Sequence, residues 1–204
     1  GLNGFAEIDS LVVDSFQIDT VRLALSSVDN AMVYHLQMRN GKDNPRNVFN
    51  AFVDGALIDK GAYVKTRVYD ENNKLGLSLA MEGTMERNGI RIKLFDDDPV
   101  LGYNKFAVND SNYIFLGDDR RVSANVDLRS QNGMGLQVYS NDDNTEALQD
   151  VTIGLHRFDL GQLMSVIPYA PPVTGILDGD FHLVQTKKEL TVSSAVNIGK
   201  MSYA

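Results

Sequence analysis

The three histidines are the side chains of this 204-residue chain best suited to metal binding or proton transfer. They are His35, His156 and His182, and none has a second histidine two or four residues away. A zinc site would therefore need ligands gathered from several separate strands. We interpret them as ordinary sheet histidines, with such an assembled zinc site as the alternative.

Three clusters of aspartates suggest calcium as a second ligand. They lie at Asp96 to Asp98, at Asp118 and Asp119, and at Asp142 and Asp143. None has the alternating Asp/Asn spacing and the distant Glu of an EF-hand loop. We therefore interpret the clusters as solvated turns, with an adventitious cation site as the alternative, and expect no metal centre.

The patterns for covalent catalysis are weak. Ser78 has the small residues Gly76 and Ala80 two positions to either side, but it lies inside an alternating strand, whereas a nucleophile elbow needs a strand-to-helix turn. The Gly133-Met134-Gly135 segment lacks the third glycine and the helix of a dinucleotide-binding loop, and it is interpreted as a hairpin turn. The absence of cysteine excludes disulfides, thiolate metal sites and a cysteine nucleophile. A glycosidase pair of carboxylates stays open, but we expect neither an enzyme nor a cofactor.

The charge balance also excludes classes of partner. The net charge is −8 and the isoelectric point is about 4.8. Nucleic acids attract basic surfaces, and polybasic segments bind anionic membranes, so neither partner is expected. Hydrophobic residues make up 43% of the chain, enough for a substantial core. No apolar run approaches the roughly 20 residues of a membrane-spanning helix.

A period of two dominates the elements that would position any site. Apolar residues alternate with mostly polar or small ones in six runs: Val21, Leu23, Leu25; Met32, Tyr34, Leu36, Met38; Leu75, Leu77, Leu79, Met81; Val122, Ala124, Val126, Leu128; Val151, Ile153, Leu155; Leu190, Val192, Val196. This alternation is typical of antiparallel strands with one wet face. Turn residues separate the runs, most clearly Asn88-Gly89, which favours a tight hairpin. The sequence predicts an all-β meander.

One segment follows a helical period instead. Its apolar residues are spaced i, i+3, i+4 and i+7: Leu160, Leu163, Met164 and Ile167. Asp159 is a suitable N-cap with Gln162 three residues later, and Pro168 ends the pattern. We predict a short helix near 159–167 whose four apolar side chains dock on the sheet, because a helix of this length is unstable alone.

The second half of the chain carries a family resemblance. Residues 158–163 read Phe-Asp-Leu-Gly-Gln-Leu, residues 167–169 read Ile-Pro-Tyr, and residues 173–180 read Val-Thr-Gly-Ile-Leu-Asp-Gly-Asp. This order of strand, Asp-Leu helix, Ile-Pro and glycine-rich strand resembles TamB-type translocation and assembly modules, within the AsmA-like group of envelope proteins. The resemblance covers the chain from about residue 101 to the end. The first part shares only the strand rhythm.

The resemblance implies an architecture and a role. Such proteins are long periplasmic β-structures that are anchored in the inner membrane and reach an outer-membrane barrel partner. Their sheets curl into an open trough, a β-taco or repeating β-groove, with an apolar inner face. They are implicated in lipid transport between the membranes and in outer-membrane protein assembly. The family brings no catalytic residues.

We therefore expect residues 1–204 to form one elongated β domain excised from a longer protein, with an internal seam at 96–99 that would divide it if sub-domains exist. The expected ligands are phospholipid tails. Seven residues are the candidates for lining the lipid groove: Val122, Ala124, Val126, Leu128, Val151, Ile153 and Leu155. The membrane anchor and the contact with the barrel protein are expected in other parts of the parent protein.

Two alternatives remain from the residues alone. A closed β-sandwich that acts as a protein-interaction or adhesion module would bury the same alternating residues in a dry core. Plain core packing also explains each groove candidate taken singly. In either architecture, a sheet cut from a longer one has raw edges, and we expect pairing between copies along those edges to be an artefact of the cut.

Overall fold

The computed structural model describes residues 3–14, 16–41, 48–95 and 98–203, which form fifteen β-strands and one α-helix. The elements in chain order are β1 (Asn3–Val13), β2 (Phe16–Val28), β3 (Ala31–Asn40), β4 (Phe49–Ile58), β5 (Gly61–Tyr69), β6 (Leu75–Glu86), β7 (Gly89–Leu94), β8 (Val100–Leu101), β9 (Asn104–Val108), β10 (Tyr113–Gly117), β11 (Val122–Ser130), β12 (Gly135–Ser140), β13 (Gln149–Asp159), α1 (Leu160–Val166), β14 (Val173–Gln185) and β15 (Leu190–Tyr203).

All the strands belong to one antiparallel meander. Each long strand pairs with its neighbours in sequence, and β1 and β15 form the two edges of the described sheet. The middle is more complex, because β6 pairs with both β7 and β8, while β11 pairs with both β10 and β9. β7 also pairs with β10, and β8 with β9. Together, β7 and β8 therefore behave as one strand that is interrupted halfway, and so do β9 and β10.

Two asparagine side chains hold the sheet together at this interruption. The Asn112 amide accepts a hydrogen bond from Leu94 N (2.7 Å) and donates one to Leu94 O (3.0 Å), as a neighbouring strand residue would. The side-chain Oδ1 of Asn109 accepts a hydrogen bond from Asp127 N (2.9 Å), and the backbone Asn109 N donates one to Asp127 O (3.1 Å). Asn112 is 4% exposed. These amides satisfy buried backbone groups that the broken strands leave without partners.

The strand registers place apolar residues opposite one another on a single face of the sheet. Three rows illustrate this: Val21–Met38–Ala51–Val68–Leu77 from β2 to β6, Met85–Ile90–Leu116–Val122 from β6 to β11, and Val126–Val138–Ile153–Phe181 from β11 to β14. The predicted alternation therefore becomes one continuous apolar face. All fifteen described strands lie in this one sheet. The described residues therefore lack the two separate sheets of the closed-sandwich alternative.

The sheet is strongly curved. Nine strand spacings of about 4.8 Å separate β2 from β13, so a flat sheet would place them about 43 Å apart. The Tyr169 ring nevertheless lies 4.9 Å from the Phe16 ring in β2, and only ten residues connect Tyr169 to the end of β13. Seven helical residues and three further residues span at most about 20 Å, even if those three were fully extended. The meander therefore curls into an open trough with its apolar face inward, which confirms the predicted fold class.

The predicted helix is confirmed as α1, with Asp159 as its N-cap accepting a hydrogen bond from Gln162 N (3.0 Å). The Gln162 side chain accepts from Asn104 Nδ2. Ile167 differs from the expectation of docking: it is the C-cap and is exposed, while Val166 is buried. The physical reason is that Ile167 has extended backbone angles, so its side chain leaves the helical stripe.

The expected seam at 96–99 falls partly outside the described residues, since Asp96 and Asp97 are not among them. On its described side, Pro99 is buried and accepts a hydrogen bond from Phe106 N (2.8 Å). One core cluster combines Leu79 from β6 with Leu101 from β8. Core packing is therefore shared by residues before and after this segment.

Replacing Asn112 with alanine is expected to lower the free energy of unfolding by about 2–4 kcal/mol, because the Leu94 N–H and C=O lose their buried partners. Urea unfolding measures the change. The control is Asn197→Ala on the exposed strand β15, which should alter stability by less than about 0.5 kcal/mol. A loss below 1 kcal/mol for Asn112→Ala would mean that the amide does not bridge the broken strands.

Candidate functional site

The candidate site is the apolar inner face of the trough, whose two ends differ. We call the end at which β13 meets α1 the upper end, and the end with the Arg87–Asn88 turn the lower end. Residues 160–169, comprising α1 and the segment through Tyr169, cover the upper end and are called the plug. The sequence pattern predicts the helix of the plug. Its position across the trough is determined by long-range contacts.

The helix of the plug packs closely against the inner face of the sheet. Val166 is buried against Phe49, Ala51 and Val68 of β4 and β5. A Cβ atom on Gly76 would lie 2.6 Å from Val166 Cγ1, so this approach requires glycine. Leu163 packs on the second core cluster, which includes Phe106 and Leu128. The helix therefore joins strands from both halves of the sheet.

Tyr169 extends the plug to the opposite wall. Its ring contacts those of Phe16 and Phe49 edge-on, at centroid distances of 4.9 and 6.4 Å. The Tyr169 hydroxyl accepts a hydrogen bond from Asn40 Nδ2 (2.8 Å) and donates one to Gln17 O. Asn40 is only 1% exposed, and its Oδ1 accepts from Asp19 N (3.0 Å). This polar link fixes the plug to β2 and β3.

The lower half of the inner face remains accessible. Four of its large apolar side chains are exposed by 41–61%: Leu57, Met85, Ile90 and Leu116. Ile153 and Phe181, exposed by 41% and 37%, lie on the same inner face in the row of Val126, towards the β15 side of the sheet. Met85, Ile90 and Leu116 stand side by side on β6, β7 and β10. A row of exposed apolar side chains on adjacent strands is a contiguous patch, the kind of surface that binds an apolar partner.

The structure divides the seven predicted groove residues between these two regions. Ala124, Val126 and Leu128 are buried, and Val126 and Leu128 belong to the core cluster beneath the plug. Ile153 is 41% exposed. The other three, Val122, Val151 and Leu155, are half-buried. All seven lie on the inner face, and of the seven Ile153 is the one whose side chain is exposed.

Sequence reasoning missed most of the accessible row. Ile90 and Leu116 lie on β7 and β10, strands of six and five residues that are too short for a clear alternating run. Met85 continues the run that begins at Leu75 and could have been included on that pattern. Asn40 and Tyr169 are 129 residues apart, and no sequence pattern connects them.

The outer face is polar, and its histidines are paired with aspartates. His35 Nδ1 lies 2.8 Å from Asp54 Oδ1, and His182 Nε2 lies 2.7 Å from Asp150 Oδ1. Hydrogen bonding to His182 holds the pKa of the Asp150 carboxyl below its usual value. Partial burial works to raise the pKa of Asp54, but hydrogen bonds from His35 and Arg67 outweigh it and lower that pKa. These pairs are cross-strand contacts of the kind that stabilise sheets.

The described ranges hold neither a cluster of metal-ligating side chains nor a helix long enough to span a membrane. Within residues 3–14, 16–41, 48–95 and 98–203, no group of three or more His, Cys, Asp or Glu side chains is arranged to hold a metal ion. The one described helix is too short to cross a membrane.

No protein-family model, curated protein or solved structure matches this chain.

Replacing Tyr169 with alanine is expected to increase the binding of an apolar fluorescent dye severalfold. The change removes the contacts with Phe16 and Phe49 and leaves the buried Asn40 amide without its hydroxyl partner. Dye fluorescence is titrated under native conditions, with folding checked by circular dichroism. Tyr203→Ala is the control, since Tyr203 is 74% exposed. Unchanged dye binding in folded Tyr169→Ala protein would show that Tyr169 does not cover the upper end.

Proposed function

We propose that this chain is a non-catalytic segment of a cell-envelope protein that shields lipid acyl chains in its apolar trough. The observation that carries the proposal is the continuous apolar face of a single curved sheet, covered at the upper end and exposed along the Met85–Ile90–Leu116 row. A soluble sheet rarely leaves such a row exposed unless a partner covers it.

The energetics of lipid transfer explain what such a trough contributes. Exposing one CH₂ group to water costs about 0.8 kcal/mol, so a chain of about sixteen carbons opposes desorption by on the order of 10 kcal/mol. An apolar channel lowers this barrier because the acyl chain stays out of water while the head group remains solvated. This task needs no nucleophile, metal or cofactor.

The distribution of polar groups supports the same function. The outer face carries ion pairs such as Arg67–Asp54 (2.6 Å) and Arg129–Asp127 (3.0 Å). An outer face of this kind remains hydrated while the inner face contacts hydrocarbon. The two faces therefore satisfy the opposite demands of water and acyl chains.

The wider setting of the proposal comes from the resemblance to TamB-type proteins. It comprises a periplasmic location, an inner-membrane anchor elsewhere in the parent protein, and an outer-membrane barrel as its partner. A role in supporting outer-membrane protein assembly belongs to the same setting. The trough is the part of this proposal that the present chain would contribute.

The proposal is tested by photo-crosslinking in cells that produce the protein containing this chain. A photoreactive amino acid is placed at Met85, which is exposed on the inner face, or at its neighbour Thr84, which is exposed on the outer face. Because successive residues of a strand point to opposite faces, Thr84 is the matched control. Phospholipid adducts are expected at Met85 and in much smaller amounts at Thr84.

A third position, Val126, serves as a buried reference because it is 5% exposed, and it should crosslink only within the protein. Lipid adducts in equal amounts at Met85 and Thr84, or protein crosslinks alone at both, would overturn the lipid-trough proposal. In the second case the lower half of the inner face would be a protein-binding surface.

A further inference from the structure

The outer face of the sheet holds a polar cavity of about 370 Å³ that extends from β11 to β14. Two glycines form its floor, Gly135 on β12 and Gly154 on β13, and they are diagonal neighbours in the strand register. Both lie on the outer face, because the adjacent residues Leu136 and Leu155 pack against the core on the inner face. The absence of side chains at these two positions leaves a recess in the sheet surface.

Polar side chains from four strands surround this recess: Arg129, Gln137, His156, Asp178 and Asp180. A Cβ atom on Gly154 would lie 2.9 Å from Asp180 Oδ1 and 3.6 Å from Gln137 Oε1, so these two side chains lean over the glycine. Neither side chain forms a hydrogen bond with another residue of the described ranges. The Asp180 carboxylate and the Gln137 amide are therefore available to a ligand.

A β-bulge in β13 positions the histidine of the cavity. Two residues of β13, His156 and Arg157, lie opposite the single residue Asp178 of β14, and Arg157 has a φ of 45°. Asp178 Oδ1 accepts a hydrogen bond from Arg157 N (2.8 Å) and lies 3.1 Å from His156 Nδ1. Bulges are frequent beside active sites, because they redirect a side chain. This one orients the imidazole through Nδ1, and Nε2 makes no hydrogen bond with the described part of the chain.

The cavity offers hydrogen-bond donors and acceptors side by side. Arg129 donates through Nε to Asp127 (3.0 Å) and keeps its terminal nitrogens as donors, Asp180 only accepts, and the Gln137 amide does both. An anionic ligand would be repelled by the carboxylates, and a cationic ligand by the guanidinium. A hydroxyl group both donates and accepts, so a neutral molecule with several hydroxyls matches this lining.

We propose that this cavity binds a neutral pyranose sugar, on the face of the sheet opposite the lipid trough. Its volume lies at the small end of the range of roughly 300–1,000 Å³ typical of small-molecule sites. Its side chains project from paired strands, which hold them more precisely than loops would. Tyr139, 48% exposed and two residues after Gln137 on the same face, offers an aromatic surface to the C–H groups of a sugar ring.

Saturation-transfer difference NMR of the whole chain tests the site with the methyl pyranosides of glucose, mannose and galactose and with N-acetylglucosamine. At least one of these sugars should give signals from the folded protein. Gly154→Val should abolish the signals, because the valine side chain fills the recess and displaces Asp180. Asp180→Ala should weaken binding by roughly tenfold or more, because hydrogen bonds to a carboxylate are among the strong ones.

The matched controls are Gly199→Val, since a Cβ atom there meets no other atom within 4 Å, and Asp143→Ala in an exposed turn. Both should bind the sugars as the parent chain does, with folding of every variant checked by circular dichroism. Absence of signals from all the sugars, or equal binding by Gly154→Val, would overturn the proposal. Binding of argininamide without any sugar would also overturn it, because the carboxylates would then form a cation site.

The outcome is independent of the lipid-trough proposal. Gly154 and Asp180 lie on the outer face, so their variants should leave the phospholipid adducts at Met85 unchanged. A chain that binds no sugar and still crosslinks to lipid at Met85 would overturn the sugar site alone.

Discussion

The structure depends on one constraint: a single-layered sheet with one apolar face has no second sheet to cover that face. Burial of apolar area is the main favourable term in folding, so the sheet must cover itself. It does so by curling until its walls approach, and by placing α1 and Tyr169 between them. The core therefore lies at the upper end of the trough, where strands distant in the sheet share contacts with the plug.

Side-chain amides complete the structure where backbone pairing fails. Asn109 and Asn112 replace strand residues at the interruption between β9 and β10. Asn40 links the end of β3 to Tyr169. Each amide offers both a donor and an acceptor, so it can imitate a peptide group in a buried site. A continuous apolar face thus rests on a few buried polar contacts at its discontinuities.

The same arrangement gives the trough its two unlike ends. Core packing at the upper end stabilises the fold, whereas the exposed lower row does little for stability and is available to a partner. This separation allows one face to serve both folding and binding. Residues with identical sequence patterns, such as Val126 and Ile153, also differ in exposure, because Val126 belongs to the core cluster and Ile153 does not.

Local patterns in the sequence determined the elements. The alternation in β11 and β13, and the Asp159-capped helix, could be predicted because side-chain direction in a strand or helix follows from spacing alone. The inner-face assignment of the seven groove candidates was predictable for the same reason. The tertiary structure alone decided which of them are buried, that Val166 rather than Ile167 docks, and that Tyr169 meets Asn40. Those outcomes depend on the curvature of the whole sheet, which brings together residues whose separation along the chain carries no pattern.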